Sequence, residues 1–297
     1  MKTLCITGAT GNVGIETLRF LIAAQQQNPE IRIIAAVQRA DSAKKLLESK
    51  GLSGLEYREL DMMNPDSAES NWVFKDVEYL FLMRPPQISD VPKYIQPIVQ
   101  AAERAGVRHV VFLSLKGVEE QTRTPHYAIE QVLRATIMKW TFLRPSFFMQ
   151  NLTTTHREEI ARRNEIFVPA GDGKTNFIDV QDIGEAAARV LLHAEKHINT
   201  AYSLTGAKSY TYNEVAELIS QKLGRKIVYK NPSKLHFFFQ KHFQERLPLS
   251  FVLVMIYLYH QTINGKADSY APDLERLLGH PPTSIEDFLE RNKQTWV

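Results

Sequence analysis

The chain has 297 residues, 44% hydrophobic and 23% charged, with a formal net charge of +3 and one cysteine. This length accommodates one large α/β domain with an appended lobe, or two domains. The absence of a basic run interleaved with aromatics speaks against a nucleic-acid partner, and the lone Cys5 leaves neither a disulfide framework nor a metal cluster.

The first apolar run, 4–6, breaks at once into glycines and lacks the form of a secretory signal. A later run, FVLVMIYLY at 251–259, is too short to span a bilayer. A soluble, cytoplasmic protein with no membrane partner is expected.

In chain order, strands are predicted at 3–7, 31–37, 55–60, 79–83, 109–115 and 140–145, with helical patterns near 12–26, 41–50, 89–105 and 124–136. Alternation of this kind, with strands apolar almost throughout, predicts an α/β fold with a doubly wound parallel sheet. Beyond about residue 150 the alternation weakens. A short strand and a helix follow at 175–194, the helix capped by Asp179 or Asp182, then a strand at 201–206 and an amphipathic helix at 211–224 stopped by Gly224. KIVYK at 226–230 precedes a mostly helical tail, whose HFFFQKHF at 236–243 is expected to pack the lobe's own core. The domains are expected at 1–150 and 151–297, with strands near 176–206 as candidates to return to the main sheet.

The stretch ITGATGNVG, 6–14, places Gly8, Gly11 and Gly14 between a strand and a helix. Glycine permits a tight turn and close backbone approach, and a helix N-terminus presents N–H groups and a positive dipole end, so a dinucleotide pyrophosphate suits this turn. The Gly-x-x-Gly-x-x-Gly spacing differs from the commoner Gly-x-Gly-x-x-Gly, and no Gly-Lys-Ser/Thr follows to make a P-loop. Thr10, Asn12 and Val13 fall within the same turn.

The second strand ends in Gln38 and Arg39, where an acid would meet a free ribose 2′-hydroxyl. Arg39, aided by Lys44 or Lys45, suits a 2′-phosphate instead, so NADP(H) is preferred over NAD(H). Asp61 and Met62, after the third strand, are placed for the adenine. Leu82 and Met83 at the fourth strand's end, Ser114 at the end of the fifth and Pro145 ending the sixth complete the candidate cofactor set.

ITGATGNVG, HYAIEQVLRA (126–135), FLRPSFFMQNL (142–152), NFIDVQDIGEAAARVL (176–191) and LLGHPPTSIEDFLE (277–290) together resemble the NmrA-like family of atypical short-chain dehydrogenases. The resemblance covers nearly the whole chain. It implies a Rossmann domain, a smaller C-terminal lobe and NADP(H) binding. Members of that family include quinone and azo reductases as well as dinucleotide-binding redox sensors that turn nothing over.

Ordinary short-chain dehydrogenases activate a tyrosine with a lysine four residues on. Here Tyr127 is followed at that spacing by Gln131. His126 to Leu133 instead resembles the arrangement in quinone-reductase-type members, making His126 and Tyr127 the candidate catalytic residues. Arg84, Lys116, Phe147, Phe148 and Asn151 are the candidate acceptor pocket, whose aromatic walls suit a flat apolar molecule.

The first reading is therefore an NADPH-dependent oxidoreductase that transfers hydride to a quinone-like, azo or conjugated carbonyl acceptor. A non-catalytic NADP(H) sensor, with a homodimer or protein partner, is the alternative. A sugar-nucleotide epimerase or dehydratase ranks behind both.

Overall fold

The computed structural model describes residues 1–70 and 72–297. Up to Pro145 the elements are β1 (Lys2–Ile6), α1 (Asn12–Gln27), β2 (Ile31–Val37), α2 (Ala40–Ser49), β3 (Glu56–Glu59), α3 (Ser67–Ser70), β4 (Tyr79–Leu82), α4 (Val91–Tyr94), α5 (Gln96–Arg104), β5 (His109–Leu113), α6 (Pro125–Arg134) and β6 (Lys139–Pro145). Next come β7 (Phe147–Phe148), β8 (Glu165–Phe167), β9 (Lys174–Ile178), α7 (Val180–Leu192), β10 (Thr200–Leu204), β11 (Ser209–Thr211), α8 (Tyr212–Leu223) and β12 (Val228–Lys230). The remainder is helical: α9 (Lys234–Phe239), α10 (Leu249–Ile263), α11 (Asp273–Leu278) and α12 (Ile285–Asn292).

These elements fall into two compact units. The first unit is built from 1–145, 180–204 and 273–280. Among the described residues its sheet has seven strands, in the order β10-β6-β5-β4-β1-β2-β3, all paired in parallel. Chain order reverses between β1 and β4, so this is a Rossmann-like doubly wound sheet with its switch point there. Cys5, Leu80, Val110 and Phe112 lie wholly buried in a core that also takes in the apolar face of α5. Burial on both sheet faces explains the near-continuous apolar strands.

The helix expected at 89–105 is two helices, interrupted at Ile95. Pro97 lacks the N–H that would bond back across the break, so α5 starts afresh with proline in its first turn. β10 returns to the main sheet beside β6, whereas β9 joins β7 and β11 in a separate three-stranded sheet.

The second unit comprises 146–179, 205–272 and 281–297. Its core includes Phe167, Phe237, Tyr212, Val252 and Trp296. α8 starts at a capping box, Thr211 with Glu214, and ends at Gly224 in the left-handed region. The aromatic cluster divides: Phe237 is fully buried and stacks on Phe167, but Phe239 and Phe243 are 54% and 58% exposed. The expectation that this stretch is wholly core is thereby corrected. Three successive aromatics on one helical turn cannot share a single face.

Candidate functional site

β1 leads into the glycine turn through Thr7, which is buried and ties two strands together. Its Oγ1 donates to the Phe81 carbonyl at 3.0 Å and accepts from the Met83 N–H at 2.8 Å. Gly8 follows at φ +58°, and a Cβ there would stand 3.2 Å from Met83 Cε. The turn closes when the Gly11 N–H donates to the Gly8 carbonyl at 2.9 Å.

Gly14 is required by close approach rather than by dihedral angle. A Cβ on it would lie 2.2 Å from the Gly8 oxygen and 2.8 Å from Ala9 Cα. The first turn of α1 is thus laid directly onto the loop. Its N-cap, Gly11, offers no side chain to bond the exposed N–H groups, and no acid sits in that turn. Asn12 is exposed there, while Val13 turns inward. The result is an uncapped helix end at the carboxyl edge of the sheet's switch point, an arrangement that accepts an anion.

Beside it, a depression of about 240 Å³ is lined by Thr10, Val37, Gln38, Arg39, Ser42, Ala43 and Leu46. Arg39 is exposed and serves as the N-cap of α2 with no capping bond of its own. That bond comes from Glu59 at the end of β3, whose Oε1 accepts from the Ala40 N–H at 2.9 Å. Lys44 is exposed on α2 and is not among the lining residues; Ser42, whose Oγ donates to the Arg39 carbonyl, is. Sequence reading missed Ser42 and Glu59. The i, i+3 offset from Arg39 could have flagged the first, but nothing local marks the second.

Asp61 follows β3, and its Oδ1 accepts from the Met63 N–H at 3.0 Å in a side-chain turn. Met62 is buried beside it, as are Leu82 and Met83 at the end of β4.

At the ends of β5 and β6 the sheet presents a charged cluster. The Ser114 N–H donates to the Leu143 carbonyl, and its Oγ donates to Glu130 Oε1 at 2.7 Å. Arg144 grips the same carboxylate in bidentate fashion, at 3.0 and 2.7 Å. Glu130 is 2% exposed, so this pairing is what allows a carboxylate to be buried there. Burial would pull the Arg144 guanidinium down, but the bonds and charge of Glu130 hold it above its usual value. The Lys116 N–H donates to the Pro145 carbonyl at 3.0 Å, and burial lowers its ammonium, with Glu119 opposing. Glu130 and Arg144 lie ten and more residues apart in sequence, and their pairing is read only from the fold.

His126 and Tyr127 occupy the first turn of α6, which Thr124 caps by accepting from the Tyr127 N–H at 3.3 Å. The His126 ring stands 6.1 Å from that of Phe112. Burial, with the nearby Arg84 charge, pushes its pKa down to about 3, so the imidazole is neutral at pH 7. Arg84 itself is lowered by burial; its Nη1 donates to the Pro85 and Pro86 carbonyls, while among the described residues its buried Nε has no partner. Gln131 is exposed.

The first unit therefore carries Gly8 to Gly14, Arg39, Asp61, Met83, Arg84, Ser114 and Lys116 at or just beyond strand ends or in the turn after them, and His126 and Tyr127 in the first turn of α6. Phe147, Phe148 and Asn151 belong to the second unit. There Phe147 and Phe148 form β7 against Phe177 and Ile178, and the Asn151 carbonyl accepts from the His156 N–H. Asp179, also in that unit, is fully buried and binds Gln150 at 2.7 Å and Arg291.

Known proteins are similar to this chain. The family model described as the NmrA-like family matches residues 1–289. An uncharacterized oxidoreductase, YesF, of Bacillus subtilis is 31% identical over 227 residues, covering 75% of this chain and 77% of its own. An NAD(P)H azoreductase of Xenophilus azovorans is 28% identical, covering 76% of each chain. The crystal structure of Citrobacter sp. triphenylmethane reductase complexed with NADP(H) superposes with a TM-score of 0.82 at 26% identity, covering 97% of this chain and 99% of that one.

Proposed function

Because this chain belongs to the NmrA-like family, we propose that it is an NADPH-dependent oxidoreductase whose acceptor is a quinone-like, azo or conjugated carbonyl compound. The observation that carries this reading is the uncapped α1 terminus at the Gly8–Gly14 turn, set beside the Arg39 depression. The turn would hold the pyrophosphate, Arg39 the 2′-phosphate, and Asp61 the adenine amino group. The NADP(H)-bound reductase of Citrobacter and the azoreductase of Xenophilus support the class of reaction by similarity.

Bound there, a reduced nicotinamide supplies the hydride. The protein's share is to orient the acceptor and to receive the negative charge that develops on it. A neutral His126 fits the second task, since it has one N–H to donate and needs no proton from solvent. Arg84 and Lys116 add positive field at the same strand ends. The first unit would thus serve as the dinucleotide domain. A sensor that binds NADP(H) without turnover is a second reading, favoured by Gln131 in the place of the usual lysine.

The test is NADPH oxidation across a panel of quinones, azo dyes and conjugated carbonyls, with NADH and His126→Ala alongside. Saturable turnover that prefers NADPH and falls in the variant is expected. Tight NADPH binding with no turnover on any acceptor would replace the reductase by the sensor.

A further inference from the structure

The apolar stretch 251–259 lies in α10, which buries one stripe and leaves other apolar side chains exposed. Val252, Met255, Tyr259 and Thr262 face the core of the second unit at helical spacing. Off that stripe, Leu249, Phe251, Leu253, Val254, Tyr257 and Leu258 are between 38% and 53% exposed. A helix apolar on all sides is ordinarily enclosed, and a contiguous exposed apolar face marks an interaction surface. α9 and the turn after it add Leu235, Phe239 and Phe243 at 81%, 54% and 58%, with the Phe239 and Phe243 rings 5.2 Å apart.

Charge identifies what covers this face. From 218 to 267 the sequence holds eight lysines and arginines and a single acid, Glu245, a net of +7. The chain as a whole carries only +3, which leaves −4 for all the rest. Of these bases Lys241 is buried against Glu159 and Glu245, and Lys222 pairs with Glu290, so the exposed positive charge rests on bases such as Lys226, Lys230, Lys234 and Arg246. Arg246 and Lys234 are exposed at the two ends of the apolar face, and Lys234 Nζ reaches His260 Nδ1 on α10 at 3.1 Å. Two copies meeting through this face would bring these like charges together, which opposes self-association. An anionic surface gains from the same charges.

We propose that α10 and the aromatic edge beside it form an interfacial docking face for an anionic lipid bilayer. Phe251, Val254 and Leu258 enter the headgroup boundary while Lys234 and Arg246 contact the anionic headgroups. Among the described residues no helix is long and apolar enough to cross a membrane, so contact is confined to the surface. The inference uses the second unit alone and stands apart from the proposed reaction.

The test is cosedimentation of the full-length protein with vesicles of phosphatidylglycerol and phosphatidylcholine in roughly equal parts, and with phosphatidylcholine alone, at low and high salt. Binding at least about tenfold tighter to the anionic vesicles, weakened by salt, is expected. It should be lost in Phe251→Ser/Val254→Ser/Leu258→Ser and weakened in Lys234→Glu/Arg246→Glu, with both variants still folding cooperatively, as circular dichroism melts check, because every substituted side chain is at least about one-third exposed. No binding to anionic vesicles would overturn the proposal. So would undiminished binding by the serine variant, which would mean charge alone. A dimer in light scattering that the serine variant dissolves would assign the face to a second copy and overturn it equally.

Discussion

Replacing Arg39 by alanine should separate the two dinucleotides. In the folded protein the guanidinium stands at the rim of the depression lined by Thr10 and Ser42, exposed to solvent. A charge-assisted hydrogen bond to a phosphate contributes roughly 1.5–3 kcal/mol where water is excluded. Exposure screens part of that, and Glu59, bonded to the adjacent Ala40 N–H, places a negative charge nearby. About 1–2 kcal/mol is therefore expected, a rise in the NADPH dissociation constant of roughly 5- to 30-fold. NADH, which lacks the phosphate, should bind almost as before. Titration of intrinsic fluorescence or calorimetry with both cofactors at moderate ionic strength measures each constant. Glu59→Gln, retaining the Oε1 acceptor without the charge, should shift selectivity the other way and tighten NADPH alone. Equal weakening of NADPH and NADH by Arg39→Ala would refute the assignment of a 2′-phosphate to this depression.

Gly14→Ala drives a methyl into backbone atoms at 2.2 and 2.8 Å, so a loss of about 1–3 kcal/mol of stability and weaker binding of both dinucleotides are expected, read as Tm and binding constants. Gly11→Ala, whose Cβ would meet only the Gly8 oxygen at 3.3 Å, should cost less. His126 has its folded pKa lowered from 6.5 to about 3. Above pH 6.5 it is neutral folded or unfolded, whereas below that only the unfolded chain takes up the proton, so stability falls as pH drops from 6.5 toward 3. Thermal melts of His126→Phe should show a shallower acid slope there, and kcat/KM should carry no inflection near pH 6.5 that the variant removes. Lys241 is fully buried against Glu159, so Lys241→Met should cost about 3–5 kcal/mol in denaturant unfolding by taking the lysine's charge from a carboxylate left with His156 and the Phe167 N–H, and adding Glu159→Gln should recover much of it. Burial alone would raise Glu159, but His156 and Lys241 outweigh it and hold the group at about 2. The stability it confers is present above its unfolded value of 4.5 and lost as pH falls toward 2; with Lys241 removed, that acid-range loss should shrink.

What was legible in the sequence is what neighbouring residues decide among themselves. The Thr211–Glu214 cap and Gly224 bound α8 because capping and left-handed termination act within one turn of helix. The glycine turn is read for the same reason, since strand, loop and helix start lie within one short stretch. Apolar runs likewise announced the parallel strands. The halves of the chain are interleaved more than a single boundary near 150 expresses: β10 and α11 join the first unit after excursions through the second. Nothing in a short strand such as TAYSL states which sheet edge it will find, because pairing is chosen by the registry and burial of partners dozens of residues away.

The site divides along the same line. Thr10, Gly14 and Arg39 could be named from local pattern. The tertiary structure alone decided that Glu59 caps α2 beside Arg39, that Glu130 is buried against Ser114 and Arg144, and that Arg84 and burial hold His126 neutral. It also decided which face of α10 is bare, for composition shows that a helix is apolar but only packing shows which of its sides found a partner. Backbone geometry is set by short-range sterics and hydrogen bonding, while charge state and exposure depend on every group the folded chain brings near; the first is written residue by residue, the second exists only once the chain has folded.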